Sequence, residues 1–189
     1  MKAYEATAAI AKVIGFSEKE TIKKWRRRGQ DLRQSIREQY WNSDYGYFTS
    51  GPKGSEAFEK GFWETSGEES VIWRKFHIAS EKQRSSILER LEDTAMTAYG
   101  IKLFPYRKEK NHFCGSVWGV WQAGFASAAS ASGDVVLVKK LLAQQMRACL
   151  INKTFYEVID ADTGKAWRWP GQLWNSAGFI SLIIYGVFG

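Results

Sequence analysis

Glu157 follows two aromatic residues, Phe155 and Tyr156, and precedes Asp160-Ala161-Asp162-Thr163-Gly164, a run of turn-forming residues. The chain then crosses Trp167-Arg168-Trp169-Pro170-Gly171-Gln172-Leu173-Trp174-Asn175 and enters an apolar stretch to Gly189. A carboxylate beside several flat rings suits sugar chemistry. One group moves a proton near an anomeric carbon, and the rings lie against the C–H faces of a pyranose. By residue type alone Glu157 is one loop carboxylate among several.

Other candidates stand in loops ahead of helices. Trp63 and Glu64 precede a helix through Val71, Ile72, Trp73 and Phe76, and both are candidates to touch substrate. Thr65 or Ser66 can cap that helix, with Glu68 and Glu69 in its first turn, where the helix dipole favours a carboxylate. His112 lies in a polar loop and can hydrogen-bond a ligand, whereas His77, in mid-helix, reads as structural. Trp118, Trp121 and Phe125 recur at helical spacing over Gly115–Ser130, with small residues opposite, and Trp118 nearest the loop is the candidate for sugar contact.

The elements that carry these residues are helical. Ala3 to Ile14 reads as a helix closed by Gly15; Ser17, with Glu20 three residues on, caps a second that runs to about Tyr40. Asp44-Tyr45-Gly46 suggests a short hairpin, and Pro52 to Gly61 an exposed loop. Glu81 to Ala98, Asp134 to about Ile151 and a last segment from about Gln172 complete a series of helical hairpins, with no strand-alternating run long enough for a large sheet.

Phe155-Tyr156-Glu157, Asp162-Thr163-Gly164, Gln172-Leu173-Trp174-Asn175-Ser176-Ala177-Gly178-Phe179 and the closing Gly186-Val187-Phe188-Gly189 together resemble the end of the six-hairpin, (α/α)6-barrel glycosidases, closest to the family 63 glucosidases and their bacterial relatives. Gly115-Ser116-Val117-Trp118 is similar to the Gly-x-Val-Trp-Pro helix of those families, with Gly119 in place of the Pro, and the likeness runs from about Tyr40 to Gly189. The resemblance implies an all-α fold, the helical hairpins of an (α/α)6 toroid with short β-hairpins in its loops. Twelve helices of about 11 residues need more chain than 189 residues supply, so it implies a single partial barrel, the C-terminal half. It also implies inverting hydrolysis of an α-linked oligosaccharide, with Glu157 as general base. The general acid is an Asp on an earlier hairpin in those families and has no counterpart here. Either it lies upstream, or Glu64 or another carboxylate replaces it. Trp167, Trp169 and Trp174 stack sugars or plug the barrel end, and Gln172 and Asn175 bind hydroxyls or cap the last helix, with capping the reading for Asn175. A non-catalytic glycan binder is the alternative.

Composition narrows the rest. The 44% apolar and 15% aromatic content belongs to a globular chain with its own core. A net charge of +7 raises nucleic acid as a partner, but Lys23, Lys24, Arg26, Arg27, Arg28, Arg33 and Arg37 share one helix, which reads as a solvated face rather than a nucleic-acid surface. Cys114 and Cys149 read as buried thiols without metal-ligand spacing, and no phosphate loop is present, so neither metal nor cofactor is expected. Glu5 and Lys12 interrupt the apolar N-terminus, which argues against a signal peptide, and no run suggests a membrane span. A half-barrel exposes an apolar face through which it can self-associate.

Overall fold

The computed structural model describes residues 2–16, 18–109, 111 and 113–189. The expected cap Ser17 and the candidate ligand His112 lie outside the described residues. Helix α1 (Lys2–Val13) packs on α2 (Lys19–Tyr40) through small residues, Ala8 and Ala11, and Gly15 takes a left-handed φ of 72° where the chain reverses. Arg33 of α2 meets Glu5 of α1 at 2.5 Å, and Arg37 donates from Nη2 to the His77 carbonyl at 2.8 Å, so two cations of the basic helix serve the fold.

A hairpin follows, β1 (Trp41–Asn42) against β2 (Tyr47–Phe48), its turn held by backbone N–H groups of Asp44 and Tyr45 donating to Asn42 Oδ1. The expected exposed loop contains a short helix, α3 (Glu56–Glu59), because Ser55 accepts a hydrogen bond from the Phe58 N–H. Then come α4 (Thr65–Ile72), a 3-10 turn Arg74–Phe76 and α5 (Glu81–Arg90), which passes into a π-helical turn, Leu91–Ala95. Ser80 and Gln83 form a reciprocal capping box at the start of α5. His77 is not mid-helix: it ends the 3-10 turn at a φ of 53° and lies outside any regular element.

The helix expected over Gly115–Ser130 is three elements. Ser116–Val117 forms strand β3, Gly119–Gln122 a 3-10 turn, and only Ala123–Ala131 is α-helix, α6. Strand pairing captures the first segment, with Ser116 opposite Asp160 and Val117 opposite Ile159. Trp118 and Trp121 are thereby removed from the helical face of Phe125. The loop expected around Glu157 is likewise a hairpin, β4 (Tyr156–Asp160) paired with β5 (Ala166–Pro170), so the order of the small sheet is β3-β4-β5. Asp160 Oδ1 closes its turn by accepting from the backbone N–H groups of Asp162 and Thr163 and from the Thr163 hydroxyl.

Helix α7 (Val135–Asn152) is capped by Asp134, which accepts from the Leu137 N–H at 2.9 Å, and α8 (Leu173–Leu182) ends in a π-helical turn, Ile183–Val187. The core centres on α6. Phe125, Ala126 and Ala129 are fully buried there, among Ile72, Ile87, Leu91, Leu137, Leu141 and Leu182. Close approach is possible because the contacts are made at glycines: a Cβ on Gly124 would stand 2.5 Å from the Glu69 carbonyl oxygen, and one on Gly178 would stand 2.7 Å from Val120 Cα. Leu173, Ile180, Ile184 and Phe188 remain exposed along α8 and the turn after it.

Two glycine substitutions should therefore differ in sign. Gly178→Ala drives a methyl group into the backbone at Val120 and should cost about 1–3 kcal/mol. Gly67→Ala, inside α4 with nothing within 4 Å, should stabilise by up to about 1 kcal/mol. Urea unfolding of both variants measures the contrast, and equal destabilisation would contradict the packing described.

Candidate active site

The site is assembled where β4, the 3-10 turn after Trp118 and the start of α8 meet. Val158 of β4 is fully buried and packs with Leu103 and Trp118, and Trp167, Trp121 and Phe104 border the same cluster. Phe113 stacks on Trp118 with centroids 5.9 Å apart, and Trp174 meets both Trp118 and Trp121 edge-on at 6.0 and 6.3 Å. A groove of about 250 Å³ opens beside this cluster, lined by Trp121, Trp174, Val120 and Ser181.

Glu157 sits one residue before Val158 and is half-buried. Tyr156 pairs with Pro170 and Val158 with Arg168, a register that sets Glu157 across from Trp169. Asn175 fixes its backbone. The Asn175 Nδ2 donates to the carbonyls of Tyr156 and Glu157, the latter at 3.1 Å, while Oδ1 accepts from the Val120 N–H at 2.9 Å. Only 1% exposed, Asn175 is therefore a strut between strand and turn and not the helix cap expected from its position. The N-cap of α8 is Gln172, which makes no side-chain capping bond; its backbone N–H donates to the Phe155 carbonyl.

The remaining candidates divide. Trp169 is exposed, with a left-handed φ of 52° and the Arg168 guanidinium 5.6 Å from its ring centre, and Trp167 is half-buried against the cluster. Trp118 is buried, its ring covered by Phe113, and its Nε1 donates to Ser116 Oγ. Glu64, half-buried, accepts from the Ser66 hydroxyl at 2.5 Å and lines a second cavity of about 460 Å³ between α2 and α4. Trp63 is 2% exposed and stacked on Tyr47 at 4.6 Å, so its ring is a core contact and offers no open face to a sugar.

Glu68 stands in the first turn of α4, as expected, but its carboxylate and that of Glu69 bind other elements. Glu69 Oε1 accepts from the Gly124 N–H at 2.8 Å and ties α4 to α6. Glu68 is buried and accepts from the Phe48 N–H at 3.3 Å and from Trp63 Nε1 at 3.2 Å. Burial outweighs these two donors and pushes its carboxyl up to about 8. Thr65, an expected cap, donates its hydroxyl proton to the Lys102 carbonyl. Among the described residues no group of three or more His, Cys, Asp or Glu is placed to hold a metal ion, and no helix is long and apolar enough to cross a membrane.

Two measurements test this geometry. Asn175→Ala leaves the Val120 N–H without its acceptor inside the protein and should cost about 2–4 kcal/mol in chemical unfolding. Glu68 has a folded pKa raised above the unfolded value, so its contribution to stability is complete below pH 4.5 and is lost as pH rises through about 8. Glu68→Gln, neutral throughout, should lose less melting temperature than the parent between pH 5 and pH 9; parallel pH profiles would show that Glu68 does not titrate there.

The chain matches the family described as mannosylglycerate hydrolase MGH1-like glycoside hydrolase domain over residues 1–177. No curated protein matches it in sequence. Among solved structures, a GH63 mannosylglycerate hydrolase from Thermus thermophilus in complex with Tris is similar at a TM-score of 0.66 and 17% identity, over 96% of this chain and 42% of that one. The complex of a GH63 mannosylglycerate hydrolase from that organism with glucose gives 0.65 and 16%, over 99% and 45%. A neutral trehalase from Saccharomyces cerevisiae gives 0.60 and 14%, over 85% and 30%. The chain thus spans less than half the length of these relatives, and its helical hairpins are those of part of an (α/α)6 toroid. By the match over residues 1–177, the chain belongs to the mannosylglycerate hydrolase MGH1-like glycoside hydrolase family.

Proposed function

We propose that this chain is a single partial catalytic domain that hydrolyses an α-linked oligosaccharide with inversion, Glu157 acting as general base. The observation that carries the reading is the setting of Glu157. Its backbone is pinned by Asn175 next to the aromatic cluster, and among the described residues no hydrogen bond or ion pair occupies its carboxylate. A carboxylate so placed can take a proton from a water that attacks the anomeric carbon, while a second carboxyl, roughly 6.5–9.5 Å away, protonates the leaving oxygen on the opposite face. An Asp on an earlier helical hairpin, or Glu64 in its place, supplies that second carboxyl. Trp174 and Trp169, both partly open to solvent, serve as subsite walls, with Trp118 and Trp167 behind them, and Gln172 meets hydroxyl groups at the rim. The exposed face of α8 receives a second copy of the chain.

Glycosyl fluorides separate the base from the acid, because fluoride departs without being protonated. Fluoride release from α-glucosyl and α-mannosyl fluoride should be catalysed by the chain and yield the β-anomer, seen by proton NMR. Glu157→Gln should cut that release by about 10²–10⁴-fold with little change in melting temperature. Release that survives Glu157→Gln would remove Glu157 from the role. Calorimetric binding of oligosaccharides without any fluoride release would instead identify a glycan binder.

A further inference from the structure

On the other side of β4 from the Val158 cluster, a cavity of about 30 Å³ is lined by Gln122, Gln145, Cys149, Thr154, Tyr156 and Asn175, among others. Gln122 is fully buried at the end of the 3-10 turn, and both polar atoms of its carboxamide, Nε2 and Oε1, lack a hydrogen-bond partner in the protein. The neighbouring amides are committed: Gln145 Nε2 donates to the Gly119 carbonyl at 2.6 Å, and Asn175 is spent on Val120, Tyr156 and Glu157. A buried donor and acceptor left unpaired on one side chain destabilise the fold, which makes Gln122 a group that demands a ligand.

We propose that Gln122 holds an internal water in this cavity and that the water couples the turn after Trp118 to strand β4. Size and chemistry select water. A cavity needs about 10–15 Å³ to admit one molecule, and this space is far below the roughly 300 Å³ and more of sugar pockets. The ligand must accept from Nε2 and donate to Oε1. A metal cation cannot accept, an ammonium ion cannot accept, and a halide cannot donate; water does both. Its remaining bonds go to polar atoms of the lining, among them the Thr154 hydroxyl and Gln145 Oε1, since the Gly119 contact uses only Nε2 of Gln145. The cavity is bounded by Tyr156 and Asn175, the residue before Glu157 and the strut that holds it, so Gln122 is a positioning residue for Glu157, a role that rests on the function proposed above.

The test is a crystal structure of the wild-type chain at a resolution that shows ordered water. Density is expected within about 3.2 Å of the Gln122 carboxamide, and Gln122→Leu, which removes the demand and keeps the volume, should lose it. Direct protein partners on both amide atoms, or density that persists in Gln122→Leu, would overturn the proposal. If Gln122→Leu does not fold, water-to-amide cross-relaxation in the wild-type protein gives the same answer: a long-lived signal at residues 119–122 supports the site, and its absence refutes it. On glycosyl fluoride the variant should lower kcat about tenfold at nearly unchanged KM. An unchanged kcat with the water present in the wild type would overturn the positioning role. Water seen in a chain that releases no fluoride would instead remove the catalytic reading and leave the water site standing.

Discussion

The Asn175 carboxamide is the interaction on which the arrangement around Glu157 depends. It reaches three backbone groups on two elements from one helix, the Val120 N–H and the carbonyls of Tyr156 and Glu157. A residue with both a donor and an acceptor is required, because the turn presents an N–H and the strand presents carbonyls. The contact also requires α8 to lie against Val120, which Gly178 permits by having no side chain there. Strand, turn and helix are thus fixed together where the Glu157 backbone meets the start of α8 and the turn at Val120. Their relative positions follow from backbone groups and not from the flexible ends of long side chains.

A second constraint runs through α4. Glu69 binds the α6 backbone, and Glu68 receives the Phe48 N–H and the Trp63 indole, so the two adjacent carboxylates tie one helix to different neighbours. Burying Glu68 without a cation costs stability when it ionises. Two aimed donors only partly offset that cost, which is why its affinity for a proton rises. The helix α4 is therefore held in part by a polar contact that responds to pH, while α6 and α7 meet each other through apolar packing around Phe125 and Leu141.

The helices were legible because their periodicity and end signals are local: Asp134 before α7 and Gly15 after α1 act within a few residues. The motif order from Phe155 to Gly189 also pointed to the toroid family correctly. What local signals did not carry was the small sheet. Ser116–Val117 became a strand only because a hairpin some forty residues later supplied partners, and that pairing outweighed a helical spacing of aromatics. The roles of Glu68, Glu69, Asn175 and Gln122 were hidden for the same reason. Each is defined by what it is buried against, and the partner lies on another element: Glu69 and Asn175 each bind across 55 residues of chain. Trp63 shows the converse, since a tryptophan before a helix looks available until the ring of Tyr47 is placed against it.

The indole of Trp174 lies with its centroid 6.0 Å from that of Trp118 and 6.3 Å from that of Trp121, the planes inclined by 67° and 64°. Indole rings that close couple their excited states, so this end of the molecule carries its own chromophore. Its circular dichroism depends on the angle between rings and not on how many tryptophans the chain contains. Trp174, 41% exposed, is the member that solvent and solutes reach. Because Trp174 is carried by α8 and Trp121 by the turn before α6, the coupling of their rings depends on how closely those two elements lie.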